Sequence, residues 1–117
     1  MDCRSLTVNL PNIVPLNIPG LAADLNLYIH GENDRFVSRR IAEEAIWEPY
    51  ETSLLIDLLT PGGVFVDVGA NIGYFSVLAA SIVGDDGAVF AFEPDPENFR
   101  LLQANLALND LQQAVTA

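Results

Sequence analysis

Val64-Phe65-Val66-Asp67-Val68-Gly69-Ala70-Asn71-Ile72-Gly73 decides how the rest of the chain is read. Val64–Val68 is apolar on both faces except at its penultimate residue, Asp67. An uninterrupted apolar strand is what a central parallel sheet requires, because helices cover both of its sides. Gly69–Gly73 is then a tight loop, and Ile72, Phe75, Leu78, Ala79 and Ile82 mark a helix that Gly84 ends.

Working outward, Asp85-Asp86-Gly87 is a turn and Ala88–Phe92 a second buried strand, with Glu93 at its C-terminal end. Asp95 caps the next helix and Pro96 is its first residue. Phe99, Leu102 and Leu106 give that helix a buried stripe, and Asn109 ends it. Upstream, Pro49 opens a helix in which Tyr50, Leu54, Leu55, Leu58 and Leu59 recur at helical spacing, with Trp47 and Tyr50 read as core packing. Thr60-Pro61-Gly62-Gly63 stops it. Helix, strand, helix, strand, helix is the order of a doubly wound α/β sheet. Such a sheet needs about five strands. Two core strands are legible, so the chain reads as the N-terminal part of a larger domain. The edge of Ala88–Phe92 is expected to be unpaired, and self-association is expected of it.

Before residue 46 the composition differs. Short apolar pieces are broken by Pro11, Pro15, Pro19 and Gly20. Leu6–Leu10 and Leu25–Ile29 are strand candidates, and Arg35–Ala45 is a short helix candidate. In the second strand Leu25, Leu27 and Ile29 alternate with Asn26 and Tyr28, a half-buried pattern. The division is therefore an N-terminal β-containing appendage, 1–46, and a partial domain, 47–117.

The 117 residues include five Arg, no Lys and sixteen Asp plus Glu, for a formal net charge of −11. Half are hydrophobic, enough for a packed core. Five Arg cannot neutralise a run of phosphates, so the composition argues against nucleic acid as a partner. No apolar stretch approaches the roughly 18 residues that span a bilayer. The N-terminus lacks a signal-peptide apolar region. The single cysteine, Cys3, forms no internal disulfide. A cytoplasmic setting is expected. His30, in a turn-like stretch, reads as a surface residue, and without a second His or a Cys cluster no metal site is expected. The acidic face of Glu43, Glu44, Glu48 and Glu51 reads as solubilising.

Ligands of open parallel sheets bind beyond the carboxyl ends of the strands, where Asp67 and Glu93 lie. Gly69 removes a Cβ where the backbone turns toward a ligand, and Gly73 lets the next helix pack on the strand. Glu93 follows Gly73 by 20 residues, the spacing at which a carboxylate accepts hydrogen bonds from both ribose hydroxyls. A nucleoside-bearing cofactor is implied. A dinucleotide fingerprint fails, because from Gly69 the later glycine positions hold Asn71 and Tyr74. A phosphate-binding Lys is lacking, so a P-loop is excluded. S-adenosylmethionine, with one ribose, no phosphate and two cationic groups, fits the acidic loop better than NAD.

Phe65-Val66-Asp67-Val68-Gly69-Ala70-Asn71-Ile72-Gly73-Tyr74-Phe75-Ser76 resembles the FkbM-type family of class I S-adenosylmethionine-dependent methyltransferases. Ala91-Phe92-Glu93-Pro94-Asp95-Pro96-Glu97-Asn98-Phe99, the Leu102…Asn105…Asn109 helix end and Trp47-Glu48-Pro49-Tyr50-Glu51-Thr52 add to the resemblance, which covers about residues 25–110. It implies that Asp67 and the Gly69 backbone face the methionyl ammonium. It places Ala70, Asn71 and Gly73 around the methionine and ribose, Glu93 on the ribose hydroxyls, and Pro94 and Asp95 beside the adenine. It implies O-methylation of a small-molecule or sugar hydroxyl. No general base is assigned, and the chain alone is expected to be catalytically silent. A non-catalytic nucleoside-binding or interaction module is the alternative.

Overall fold

The computed structural model describes residues 12–31 and 37–117. The strand expected at Leu6–Leu10, Cys3 and the start of the helix expected from Arg35 lie outside them. The described residues form, in order, β1 (Asn12–Pro15), β2 (Asn26–Ile29), α1 (Val37–Glu44), α2 (Pro49–Leu58), β3 (Val64–Val68), α3 (Tyr74–Val83), β4 (Ala88–Phe92), α4 (Pro96–Leu108) and β5 (Val115–Thr116). It is an α/β fold: a parallel sheet with its crossover helices, preceded by a small antiparallel hairpin.

The sheet runs β3-β4-β5, all parallel. Val64 pairs with Ala88 and Val68 with Phe92, so the carboxyl ends of β3 and β4 lie side by side. β5 is only two residues long, Val115 opposite Val89 and Thr116 opposite Phe90. The sequence shows two core strands and leaves the β4 edge open. The structure corrects both: β5 pairs with β4, and the edge strands of this sheet among the described residues are β3 and β5. Parallel crossovers are right-handed. Two such crossovers in one direction put α3 and α4 on the same side of the sheet.

That side is dry. Val89 and Ala91 are buried there with Asp67, beneath Val77, Leu78, Ala79 and Ala80 of α3. Among the described residues nothing covers the other side, where Val64, Val66, Val68, Phe90 and Phe92 are exposed. The expectation of helices on both sides of β3 is thus met on one. An apolar strand records that its side chains favour burial and says nothing of what buries them.

The inward face of α2 also differs from expectation. Thr52 is buried, and Leu55, Ile56 and Leu59 are half-buried, whereas Tyr50, Leu54 and Leu58 face outward. Trp47 packs against the core and Tyr50 does not. Leu25, Leu27 and Ile29 are buried as their alternation requires, in one cluster with Ile41, Ile72, Leu78, Leu102 and Leu106. The hairpin therefore shares its core with α3 and α4.

Candidate cofactor site

Gly69 and Ala70 follow β3 directly, and both their N–H groups donate to the Phe92 carbonyl, at 2.8 and 3.0 Å. This locks the loop onto the end of β4. The Asn71 N–H donates to Glu93 Oε1 at 2.6 Å. The Ile72 N–H donates to Asn71 Oδ1 at 2.9 Å, and the Gly73 N–H to the Ala70 carbonyl at 2.9 Å. All five amides of Gly69–Gly73 thus serve protein acceptors. A phosphate-binding loop needs amides left free to point at the anion. This loop has none to offer.

The two glycines have different roles. Gly69 has φ +75°, and a Cβ there would meet no atom within 4 Å. Its backbone borders open space, where a ligand can lie close. Gly73 has φ +99°, but a Cβ there would lie 2.7 Å from Leu102 Cδ1 and 3.3 Å from Leu102 Cα. Gly73 is glycine because α4 crosses it.

Glu93 is half-buried and held at both oxygens. Oε1 accepts from Asn71 and Oε2 accepts from the Asp95 N–H at 3.0 Å. Each carboxylate oxygen keeps a further acceptor site, so the group is oriented without being used up. Asp95 also caps α4, accepting from the Glu97 N–H at 3.1 Å. Pro94 and Asp95 are exposed beside it.

Asp67 is only 8% exposed. Its Oδ2 accepts from the Ser76 hydroxyl at 2.7 Å. Burial pushes its carboxyl above the usual carboxylate range, the Ser76 hydroxyl opposes this, and the nearby Glu93 charge adds to the rise. A cation placed near it would be welcome. These features fit a nucleoside cofactor with cationic groups and no phosphate. The structure brings Asp67, Gly69, Ala70, Asn71, Glu93, Pro94 and Asp95 together at the strand ends, and places Gly73 under α4.

Sequence reasoning passes over Ser76, the partner of the buried carboxylate. It also gives no role to Asn105, a wholly buried polar residue. The signal for Asn105 is present: a carboxamide between Leu102 and Leu106, on the apolar stripe of α4. His30, read as a surface residue, is half-buried, with Nε2 2.6 Å from Asn98 Oδ1. Among the described residues no group of three or more His, Cys, Asp or Glu is placed to hold a metal, and no helix is long and apolar enough to cross a membrane.

The TRM5/TYW2 methyltransferase domain model matches residues 48–117, more than half of the chain and the whole of this site. The chain belongs to the TRM5/TYW2 methyltransferase family. Class I methyltransferase stands, while the narrower FkbM-type resemblance gives way to TRM5/TYW2. Membership implies S-adenosylmethionine as methyl donor. A tRNA (guanine(37)-N(1))-methyltransferase of Danio rerio is 38% identical over 73 residues, which are 60% of this chain and 15% of that protein. The chain therefore spans about a seventh of the length of that relative. Trm5 of Methanocaldococcus jannaschii, solved with adenosine, shares the fold at 20% identity and TM-score 0.64, over 92% of this chain and 28% of that one. A complex of aTrm5 with tRNALeu shares it at 22% identity and TM-score 0.59, over 79% of this chain and 24% of that one.

These relatives overturn the exclusion of nucleic acid, and with it the small-molecule or sugar hydroxyl as acceptor. The exclusion rested on net charge. Arg39, Arg40 and Arg100 do each lie beside a Glu on their own helix. But a stretch that spans a small part of its relatives does not carry the field of a whole protein, so its net charge cannot exclude a partner.

Proposed function

We propose that this chain is the S-adenosylmethionine-binding part of a tRNA methyltransferase acting at N1 of a guanine. The observation that carries the cofactor half is the Glu93 carboxylate, fixed by the Asn71 and Asp95 amides opposite a loop without free amides. The substrate half rests on family membership and on the Danio rerio relative. In this reading residues 47–117 form the cofactor-binding unit and residues 1–46 are an appendage to it.

Glu93 receives the two ribose hydroxyls. Asp67, with the Gly69 backbone, faces the ammonium, and Ala70 and Asn71 border the methionine and ribose. Gly73 holds that loop under α4. Pro94 and Asp95 flank the adenine. With the loop amides already bonded, the methionyl carboxylate draws its donors from outside Gly69–Gly73. When bound, the cofactor supplies an electrophilic methyl carbon on a sulfonium. Transfer to a guanine N1 breaks the sulfur–carbon bond, forms a nitrogen–carbon bond and releases the N1 proton. What these residues contribute is alignment of the donor.

Calorimetry with S-adenosylhomocysteine and with NADH tests the cofactor half. S-adenosylhomocysteine should bind and NADH should not. Glu93→Ala should weaken binding tenfold or more, since hydrogen bonds to a charged group are worth about 1.5–3 kcal/mol each. NADH binding as tightly, or no effect of Glu93→Ala, overturns it. Affinity should fall as pH drops through the raised titration of Asp67, because protonation removes the charge that faces the ammonium. For the substrate half, residues 48–117 replace their counterpart in the Danio rerio enzyme. A folded chimera should methylate a tRNA transcript with guanine at position 37 and not one with adenine there. A folded but silent chimera overturns that half.

A further inference from the structure

The N-terminal hairpin is held to α4 by two carboxamides. Asn105 and Asn109 lie one helical turn apart, a rise of about 6 Å. Asn26 and Tyr28 lie two residues apart on β2, about 6.7 Å. The spacings match closely enough for each carboxamide to meet the outward-facing N–H and C=O of one β2 residue. Asn109 Oδ1 accepts from the Asn26 N–H at 2.9 Å, and its Nδ2 donates to the Asn26 carbonyl at 2.7 Å. Asn105 Oδ1 accepts from the Tyr28 N–H at 2.5 Å, and its Nδ2 donates to the Tyr28 carbonyl at 3.0 Å. The side chains thus continue the ladder that β1 begins on the other edge of β2.

The two differ in where the remaining donor goes. Asn109 Nδ2 turns back to the Asn105 carbonyl at 2.8 Å. Asn105 Nδ2 reaches the Ile72 carbonyl at 2.7 Å. Ile72 lies in the cofactor loop, next to the Asn71 amide that holds Glu93. One carboxamide therefore joins three segments: hairpin, helix and loop. It is fully buried, so no water can replace a bond it loses, and one oxygen with two N–H donors is what the three backbone groups demand.

We propose that Asn105 is a positioning residue, which sets Asn71–Gly73 against Glu93 and makes docking of the N-terminal hairpin a condition of cofactor binding. The proposal rests on the cofactor reading above. The hairpin thereby gains a function, because the strand edge presented by residues 26–28 stabilises the carboxamide orientation that the loop needs. Coupling of this kind is reciprocal, so ligand at the strand ends should also hold the hairpin.

Amide hydrogen exchange on the ligand-free, full 117-residue chain tests the clamp. Asn105→Ala should speed exchange of the Asn71 amide tenfold or more, while Val77 and Val89, in the core, change by less than threefold. Asn109→Ala removes the bonds at Asn26 and leaves those from Asn105 to Tyr28 and Ile72 in place, so the hairpin stays docked at Tyr28 and Asn71 should stay within threefold. An unchanged Asn71 in Asn105→Ala overturns the proposal. So does a rise matched at Val77 and Val89, because that is loss of overall stability alone. If Asn105→Ala does not fold, Asn105→Ser takes its place under the same criteria, since its hydroxyl keeps a polar group in the site and is too short to join the three backbone groups. S-adenosylhomocysteine titration then follows. The folded Asn105 variant should bind tenfold or more weakly, and Asn109→Ala within threefold of the parent. Equal binding by all three overturns the link to the cofactor. Failure of the parent to bind refutes the cofactor reading instead, and the exchange result decides the clamp by itself.

Discussion

The two faces of the β3–β4–β5 sheet are built from similar apolar residues and meet different surroundings. Phe65, Asp67, Val89 and Ala91 point toward α3, while Val64, Val66, Val68, Phe90 and Phe92 point away from it, Val68 at 80% exposure. The covered side adds specific contacts to its apolar packing: Ser76 against Asp67, Gly73 under Leu102, Tyr74 tied to α2. The open side presents hydrophobic surface and no polar anchor among these five side chains. Apolarity is common to both, so it does not tell them apart. What distinguishes the covered side is a small set of residues whose size or hydrogen bonding allows one arrangement only, and substitutions there should separate the two faces.

The largest effect is expected at Gly73. Ala adds a Cβ at φ +99° and 2.7 Å from Leu102 Cδ1. The left-handed backbone costs about 1–2 kcal/mol for a non-glycine residue, and overpacking adds about 1–3 kcal/mol. Gly73→Ala should lower stability by about 3 kcal/mol in urea unfolding. Gly69→Ala, with open space around its Cβ, should incur the backbone cost alone. Equal losses at the two would mean that Leu102 yields and that the helix crossing is looser than it looks.

Asp67→Asn comes next, with the opposite sign. The Asp67 carboxyl is raised in the folded state by burial. Its protonated form thus favours folding, and that contribution is present below the ordinary value of 3.8 and lost as pH rises through the raised one. The ionised form of Asp67 places a charge in a dry layer. Asn keeps an oxygen for Ser76 and removes the charge, so it should stabilise the fold at neutral pH. The gain should vanish in melts below pH 3.8, while affinity for S-adenosylhomocysteine falls at pH 7. Stability and function would then pull apart at one residue, as they do where a site holds strain or charge. A loss of stability at pH 7 would show that Ser76 and its surroundings favour the ion after all.

How much of this is legible in the sequence follows the same division. α2, β3, α3, β4 and α4 are readable because Pro49, Gly84, Pro96 and Asn109 punctuate strongly apolar segments. Glu93 is readable because its distance from the loop is fixed by one helix and one strand. β5 is not, because two residues carry no periodicity and their pairing depends on where α4 returns the chain. β1 is hidden by Pro15, which a strand tolerates at an edge. On α2 both Tyr50-Leu54-Leu58 and Leu55-Leu59 satisfy helical spacing, and only contact with α3 selects the second. Ser76 and Asn105 are ordinary polar residues until tertiary structure brings Asp67 and Ile72 to them.

Tyr74→Phe sharpens the comparison further. The Thr52 hydroxyl donates to the Trp47 carbonyl at 2.7 Å, so at 3.0 Å it must accept from the Tyr74 hydroxyl. Burial pushes the Tyr74 phenol up, so it stays protonated and donates throughout the neutral range. Phe removes one donor and leaves Thr52 bonded to Trp47. The loss should be about 1 kcal/mol by thermal melt, the usual net worth of one hydrogen bond. A much larger loss would show that this bond, rather than Leu55 and Leu59, fixes α2 on α3.

The smallest effect should come from the open face. Val68→Thr keeps the β-branched shape that suits a strand and exchanges one methyl for a hydroxyl. On a covered face that exchange buries a polar group without a partner and costs about 1–3 kcal/mol. At 80% exposure the hydroxyl stays in water and the lost transfer energy is a fraction of one methyl. Val68→Thr, and Val66→Thr at 55% exposure, should change stability by no more than about 0.5 kcal/mol in urea, within the usual range for surface substitutions. Val89→Thr, paired across the strands with Phe65 on the dry side, is the control and should fall well outside that range. If Val68→Thr costs as much as Val89→Thr, then the open face is covered in solution, and the contrast between the two faces belongs to the isolated chain alone.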